Sequence, residues 1–281
     1  MASSSKEKEK EGGELEEEDD VMVINVWKEN MDHEVEEITQ IVREFNFVAF
    51  DTEFPGTIIK SPNSDILLPY SVLRENVNRT KLIQLGFTLG DQDGNLPKDE
   101  NQKKKVWQFN FSDFDLTTDD DEFDPDSIEL LIKSGLDLEL FKTRGIPLCG
   151  SIGEKLLASG VFNNKRNCLV SFQGSSDMGY LIKLFTQQDL PQTYQEFMIL
   201  VARYFPYSID VKLLSNVFMQ GNTKGLDIVS NRLRLKRKGG ISHQGGSDSY
   251  LTYIVFLKLL EKYGDEIKNS HYNTLYGLTD T

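Results

Sequence analysis

The chain has 281 residues, is 38% hydrophobic and carries a formal net charge of −14. That length supports a sizeable buried core, and no run approaches the eighteen or more apolar residues a membrane helix needs, so a membrane role is not expected. Two cysteines, Cys149 and Cys168, are too few for a disulfide framework and favour a reducing, intracellular compartment.

Residues 1–20 hold nine acids and three lysines, with one leucine as the only sizeable apolar side chain after Met1. Such a segment cannot bury a core, and it lacks the apolar centre of a signal peptide. Residues 1–21 are therefore expected to be a disordered acidic tail, and 22–281 to form one domain. A second acidic patch, "DFDLTTDDDEFDPD" over residues 113–126, carries eight acids and no base. Outside these two segments the charge cancels, so a polyanionic partner is not excluded.

After the tail, "VMVINV" reads as an extended piece. A helix follows, with Val35, Ile38, Ile41, Val42 and Phe45 at three- and four-residue spacing. "FNFVAFDTEF" is a strand stopped by Pro55-Gly56. "TKLIQLGFTLGDQDGNLP" is a strand and turn, with "KKVWQFNF" as its hairpin partner. "DPDSIELLIKSG" and "GEKLLASG" are helices ending in glycine, and "CLVSFQG" is a strand followed by the helix "SSDMGYLIKLF". "QEFMILVARYF" is a helix, "SIDVKLL" a strand or a helix start, and "SDSYLTYIVFLKLLEKYG" a long final helix. Alternating strands and helices predict an α/β sheet whose early strands are antiparallel.

The candidate chemistry lies in four acids and a histidine. Asp51 and Glu53 sit in a strand apolar on both faces, on the same side and about 6.5–7 Å apart along the chain. Two readings stand for the pair: a strand end emerging into water, or a site that takes a cation, since buried unpartnered carboxylates are costly. Asp177 precedes the apolar stripe Tyr180, Leu181, Leu184 and Phe185, which puts it on the inward face of its helix; a first-turn acid complementing the helix dipole is the plainer reading. Asp248 begins a helix apolar nearly all round, where an acid needs a partner. Of three histidines only His243, in "HQGGSD", has an acid five places on; His33 and His271 read as surface residues.

Hard carboxylate oxygens suit Mg²⁺ or Mn²⁺ rather than Zn²⁺. Two such ions roughly 3.5–4 Å apart serve in-line displacement at phosphorus, and a neutral histidine can take the proton of the attacking water. Five bases in residues 232–238, Arg232, Arg234, Lys236, Arg237 and Lys238, lead toward His243. They read either as RNA phosphate contacts or as a solvated helix end or loop. Tyr180, Phe109 and Phe111 read as core rather than as base-stacking platforms.

Asp51-x-Glu53, Asp177 and His243-x4-Asp248 together resemble the DEDDh exonuclease pattern of the ribonuclease-H-like fold. The words "FDTEFPG", "KLIQLG", "WQFNF", "DSIELLIKSG", "DMGYLIKLF", "DVKLL", "HQGGSDS" and "LYGL" resemble one branch of it, the Caf/Pop-type poly(A) deadenylases of the Ccr–Not mRNA-decay complex. The resemblance implies a twisted mixed sheet flanked by helices and 3′→5′ removal of adenylates from poly(A) RNA, releasing 5′-AMP. It implies Asp51, Glu53, Asp177 and Asp248 as ligands of two divalent ions, Mg²⁺ or Mn²⁺, and His243 as general base. It also implies a Ccr–Not scaffold and a second deadenylase as partners, and action in cytoplasm and nucleus. Asp210 matches a family acid outside the metal set. The chain departs from the pattern before Asp177. The family's Trp-x-x-Phe-His-Ser-Gly-Tyr-Asp-Phe reads "LVSFQGSSDM" here, so Trp, His and Tyr are replaced by Leu169, Gln173 and Ser176. A DEDDh exonuclease acting on other RNA or DNA ends, and a catalytically silent adaptor, are the alternative readings.

Overall fold

The computed structural model describes residues 20–61, 67–221 and 223–280. Of the expected acidic tail, residues 1–19 lie outside the described residues. Asp20 and Val21 belong to the folded part, because the first strand, β1 (Val21–Val26), begins one residue before the expected boundary.

In chain order β1 is followed by α1 (Met31–Ile41), β2 (Phe47–Glu53), β3 (Leu68–Pro69), α2 (Tyr70–Arg79), β4 (Gln84–Gly90) and β5 (Lys104–Asn110). Then come α3 (Pro125–Lys133), α4 (Leu138–Arg144), α5 (Ile152–Ser159), β6 (Cys168–Ser171), α6 (Ser175–Thr186) and α7 (Tyr194–Tyr204). The remainder is β7 (Ser208–Asp210), α8 (Val211–Phe218), α9 (Leu226–Arg232), α10 (Gly245–Tyr263) and β8 (Leu278–Thr279). The expected first helix ends at Ile41, and a single 3₁₀ turn carries the chain on to Glu44. "SIDVKLL" is both of its readings at once, a strand and then a helix, joined where the Asp210 carboxylate accepts the N–H of Lys212 at 2.9 Å. α2, α4 and α9 are additions to the predicted elements.

Six strands form one sheet in the order β1-β5-β4-β2-β6-β7. β2, β4 and β5 are an antiparallel meander, as expected, while β1 runs parallel to β5 and β6 parallel to both β2 and β7. Alternation along each strand serves two cores. Val48 and Phe50 of β2, with Phe87, Trp107 and Phe109, face α1, α2, α5, α6 and α7. Ala49, Val106, Val170 and Ile209 face the other way, onto Leu251, Tyr253, Val255, Phe256 and Leu259 of α10. α10 is apolar nearly all round because it lies between the sheet and α8 and α9. A third cluster, Trp27, Ile83, Phe114, Ile128, Leu131 and Phe141, seats α3 and α4 at the end of the sheet. The strand β2 therefore lies mid-sheet with a helix layer on each face, and its last residues reach the edge of both cores.

Candidate active site

Asp51 and Glu53 occupy the end of β2, opposite Gly86 and Gln84 of β4. Their alternation puts both on the α10 face, while Thr52 between them faces α6. The two helices point their N-terminal ends at this strand end. From α6, Asp177 accepts the backbone N–H of Thr52 at 2.9 Å and the Thr52 hydroxyl at 2.5 Å on one carboxylate oxygen. From α10, Asp248 accepts the backbone N–H of His243 at 2.8 Å on Oδ2, and its Oδ1 takes the Arg237 guanidinium.

His243 has φ +63°, a left-handed turn just ahead of the two glycines that open α10. That turn brings donor atoms of Glu53, His243 and Asp248 within 4.8 Å of one another. All five sequence-predicted residues, Asp51, Glu53, Asp177, His243 and Asp248, line one cleft of about 940 Å³. Helix dipoles favour anions at both helix ends, but this does not offset the crowding. Burial, and then the neighbouring Asp177, Asp248 and Glu53, push the Asp51 carboxyl well above the usual range. Burial, and then Asp248 and Asp177, do so for Glu53. Burial raises Asp177 to about 6 in spite of its bonds from Thr52. Asp248 is raised by burial too, with Arg237 opposing. Four hard oxygen donors converge with one internal cation among them, so the donor set fits divalent cations, which would let every carboxylate ionise.

Asp210 has a different task. It is fully buried and accepts backbone N–H bonds from Gln173 at 2.8 Å, Lys212 at 2.9 Å and Tyr276 at 3.0 Å. It ties the segment before α6, the start of α8 and the "LYGL" motif into one knot. The departing residues Gln173 and Ser176 face the cleft, Gln173 from a left-handed turn at φ +59°.

The five bases do not act as a unit. Arg237 reaches into the cleft, where besides Asp248 it holds Asp227 at 2.7 Å, and Ser242 donates to the same Asp227 at 3.0 Å. Lys238 pairs with Asp20 at 2.9 Å, Arg232 donates to the Gln220 carbonyl at the end of α9, and Arg234 and Lys236 are exposed on the loop beyond it. Phe109 and Phe111 are core, as expected, whereas Tyr180 is buried yet forms cleft wall, stacked on Phe54 with ring centroids 4.7 Å apart. Phe172 also lines the cleft, with Lys212 against its ring at 5.4 Å. The sequence reading missed Phe54, Phe172 and Asp227. Phe54 was in plain view, next to Glu53, but nothing local separates a wall aromatic from a core one.

A mixed sheet of this order, flanked by helices and carrying an acidic cleft at the end of its central strand, is the architecture of the ribonuclease-H-like nucleases. Residues 26–166 and 151–256 match the CAF1 family ribonuclease domain. The chain is 39% identical over 266 residues to an Arabidopsis thaliana protein named probable CCR4-associated factor 1 homolog 10, covering 93% of this chain and 94% of that one. It is 36% identical over 264 residues to the Schizosaccharomyces pombe poly(A) ribonuclease pop2, covering 92% and 76%. The structure of S. pombe Pop2p in its Mg²⁺- and Mn²⁺-bound form superposes with a TM-score of 0.81 at 35% identity, covering 91% of this chain and 99% of that one. The yeast CAF1 structure co-crystallized with the NOT1 MIF4G domain gives 0.76 at 25% identity, covering 94% and 100%. The chain belongs to the CAF1 family of ribonucleases.

Proposed function

We propose that the protein is a 3′→5′ exoribonuclease that shortens poly(A) tails, releasing 5′-AMP, as a catalytic subunit of the Ccr–Not complex. The observation that carries this reading is the convergence of Asp51, Glu53, Asp177, Asp248 and His243 at one strand end in a chain of a ribonuclease family. Asp51, Glu53, Asp177 and Asp248 would hold two divalent ions, Mg²⁺ or Mn²⁺. When bound, such ions supply an activated water and charge stabilisation at phosphorus. His243, turned into the cleft beside Asp248, accepts the water's proton. Phe54 and Phe172, both lining the cleft, offer rings against which the terminal bases stack.

The poly(A) ribonuclease name of the S. pombe relative supports the substrate, and the NOT1–CAF1 co-crystal structure supports a scaffold partner. A second deadenylase in the same assembly, and action in both cytoplasm and nucleus, complete the reading. Imaging of a fluorescent fusion addresses the compartments; exclusion from either would reject that part.

The central test is a 5′-labelled RNA with an A-tail, incubated with the purified protein and Mg²⁺ or Mn²⁺. Stepwise shortening is expected, lost with Asp51→Ala, and faster on poly(A) than on other homopolymers. An intact tail rejects the activity, and equal rates on all homopolymers reject the substrate.

A further inference from the structure

The first turn of α10 has no side chain of its own to close it. Gln244 at the N-cap makes no capping bond, and the next two residues are Gly245 and Gly246. Their N–H groups point into the sheet. Gly245 donates to Gln84 Oε1 of β4 at 2.9 Å, and Gly246 donates to Gln108 Oε1 of β5 at 2.9 Å. Both glutamines are buried.

Each carboxamide is fixed from behind. Gln84 Nε2 donates to Asn110 Oδ1 at 2.8 Å, and Gln108 Nε2 donates to Asn25 Oδ1 at 3.0 Å. Asn110, fully buried, closes the network by donating toward Asn25 Oδ1 at 3.3 Å and the Gln108 carbonyl at 3.3 Å. A helix N–H can meet only the oxygen of a carboxamide, so the orientation of every amide in the network is determined. The approach is close enough to demand glycine: a Cβ on Gly86 would lie 1.8 Å from the Gly245 carbonyl carbon, and one on Gly246 would lie 3.1 Å from Gln108 Oε1.

Helix N-termini are ordinarily closed by Asp, Ser, Thr or Asn on the helix itself. An acid in the sheet would satisfy the same N–H groups, but it would add a fifth carboxylate beside four whose charges already oppose one another. A carboxamide accepts the bond with no charge. We propose that Gln84 and Gln108, braced by Asn110 and Asn25, are positioning residues for the α10 half of the active site. They fix Gly245 and Gly246 on the sheet, and so set where Asp248, two residues beyond Gly246, stands relative to Asp51 and Glu53. This rests on the metal-ligand role proposed above for Asp248.

The test is calorimetric titration of the purified full-length protein with Mn²⁺, alongside thermal melting and the tail-shortening assay. Gln84→Leu and Gln108→Leu should each weaken Mn²⁺ binding about 10–100-fold, as loss of a supporting partner does at metal sites. At saturating Mn²⁺ their KM for the A-tailed RNA should stay within about twofold of the wild type while kcat falls. Asn25→Ala removes the brace at the exposed rim, where water reaches, and should weaken binding about threefold with the fold intact. Leucine variants that melt earlier yet bind Mn²⁺ with wild-type affinity would reduce the network to a structural role and overturn the proposal. If neither leucine variant folds, wild-type Mn²⁺ affinity in Asn25→Ala overturns it instead. Asp248→Ala separates the two layers: if it leaves Mn²⁺ binding unchanged, the ligand role itself is wrong.

Discussion

The two helices that deliver acids to the cleft do so by contrasting means. Asp177 on α6 is gripped by the sheet itself, through the N–H and hydroxyl of Thr52 on the same strand as Asp51 and Glu53. Asp248 on α10 is gripped by the loop before it, through the Arg237 guanidinium and the His243 N–H. One acid is held by neutral donors on a rigid element, the other by a cation and one backbone N–H on a loop. The Asp177 carboxylate is thus held by the core, whereas the Asp248 carboxylate, on a helix start seated by Gln84 and Gln108, is balanced by an ion pair in the direct neighbourhood of a site that would take metal cations. A site can therefore be geometrically preformed on one side and electrostatically balanced on the other.

The largest test of this contrast is also the bluntest. Asp177→Ala and Asp248→Ala should each cut kcat on A-tailed RNA by about a thousandfold or more, since each would remove a ligand from an ion that stabilises the transition state by several kcal/mol. The halves separate when stability is followed against pH. In metal-free protein Asp177 keeps its proton to about pH 6, while the unfolded chain releases it near 3.8. The folded state then binds more protons than the unfolded one across that window, so the Asp177 contribution to stability falls as pH rises from about 4 to about 6, and Asp51, Glu53 and Asp248, whose carboxyls are also raised, add to the fall. One such group is worth on the order of 3 kcal/mol. Urea melts with EDTA should show this slope, and saturating Mg²⁺ should flatten it; a metal-free protein that gains stability over that range would contradict the crowding of carboxylates.

Smaller effects sharpen the comparison. Arg237→Ala should cost metal-free protein about 2 kcal/mol by leaving Asp248 without its cation, and markedly less when Mn²⁺ supplies the charge. Thr52→Val, on the neutral side, should cost about 1 kcal/mol with or without metal. Equal metal dependence in the two variants would erase the distinction drawn here. Smallest of all, Arg234→Ala and Lys236→Ala should raise KM for RNA about twofold each and lower the salt dependence of binding by about one charge each. An unchanged salt slope would remove the loop from the RNA path.

Much of this was readable before any coordinates. The antiparallel meander, the buried final helix and the grouping of four acids with His243 follow from period-2 and period-3.6 patterns plus the cost of burying charge. What escaped did so for physical reasons. α2 has the right spacing at Tyr70, Leu73 and Val77, but Asn76 also faces inward, where it binds the backbone of Ile59 through both ends of its amide. A polar residue on an inward face blurs the stripe. Arg237 was grouped with its basic neighbours because sequence reveals charge but not where a long side chain is aimed. Gln84, Gln108 and Asn110 lie in strands that read simply as core, and their proposed purpose appears only when a helix end 138 to 161 residues further along arrives above them.

The ion pairs of Asp20 bear on how the protein is trimmed for the bench. Its carboxyl is held down to about 2 by hydrogen bonds from Lys104 and Lys238, and Lys238 adjoins the arginine that holds Asp248. A shortened version starting at residue 22, the boundary that composition alone recommends, would shed Asp20 along with the first residue of β1. It would strip both lysines of that carboxylate and loosen the loop next to the acidic cleft. Any effect attributed to removing the acidic tail has to be measured on a chain that keeps residues 20 and 21, or tail and active-site loop will be altered together.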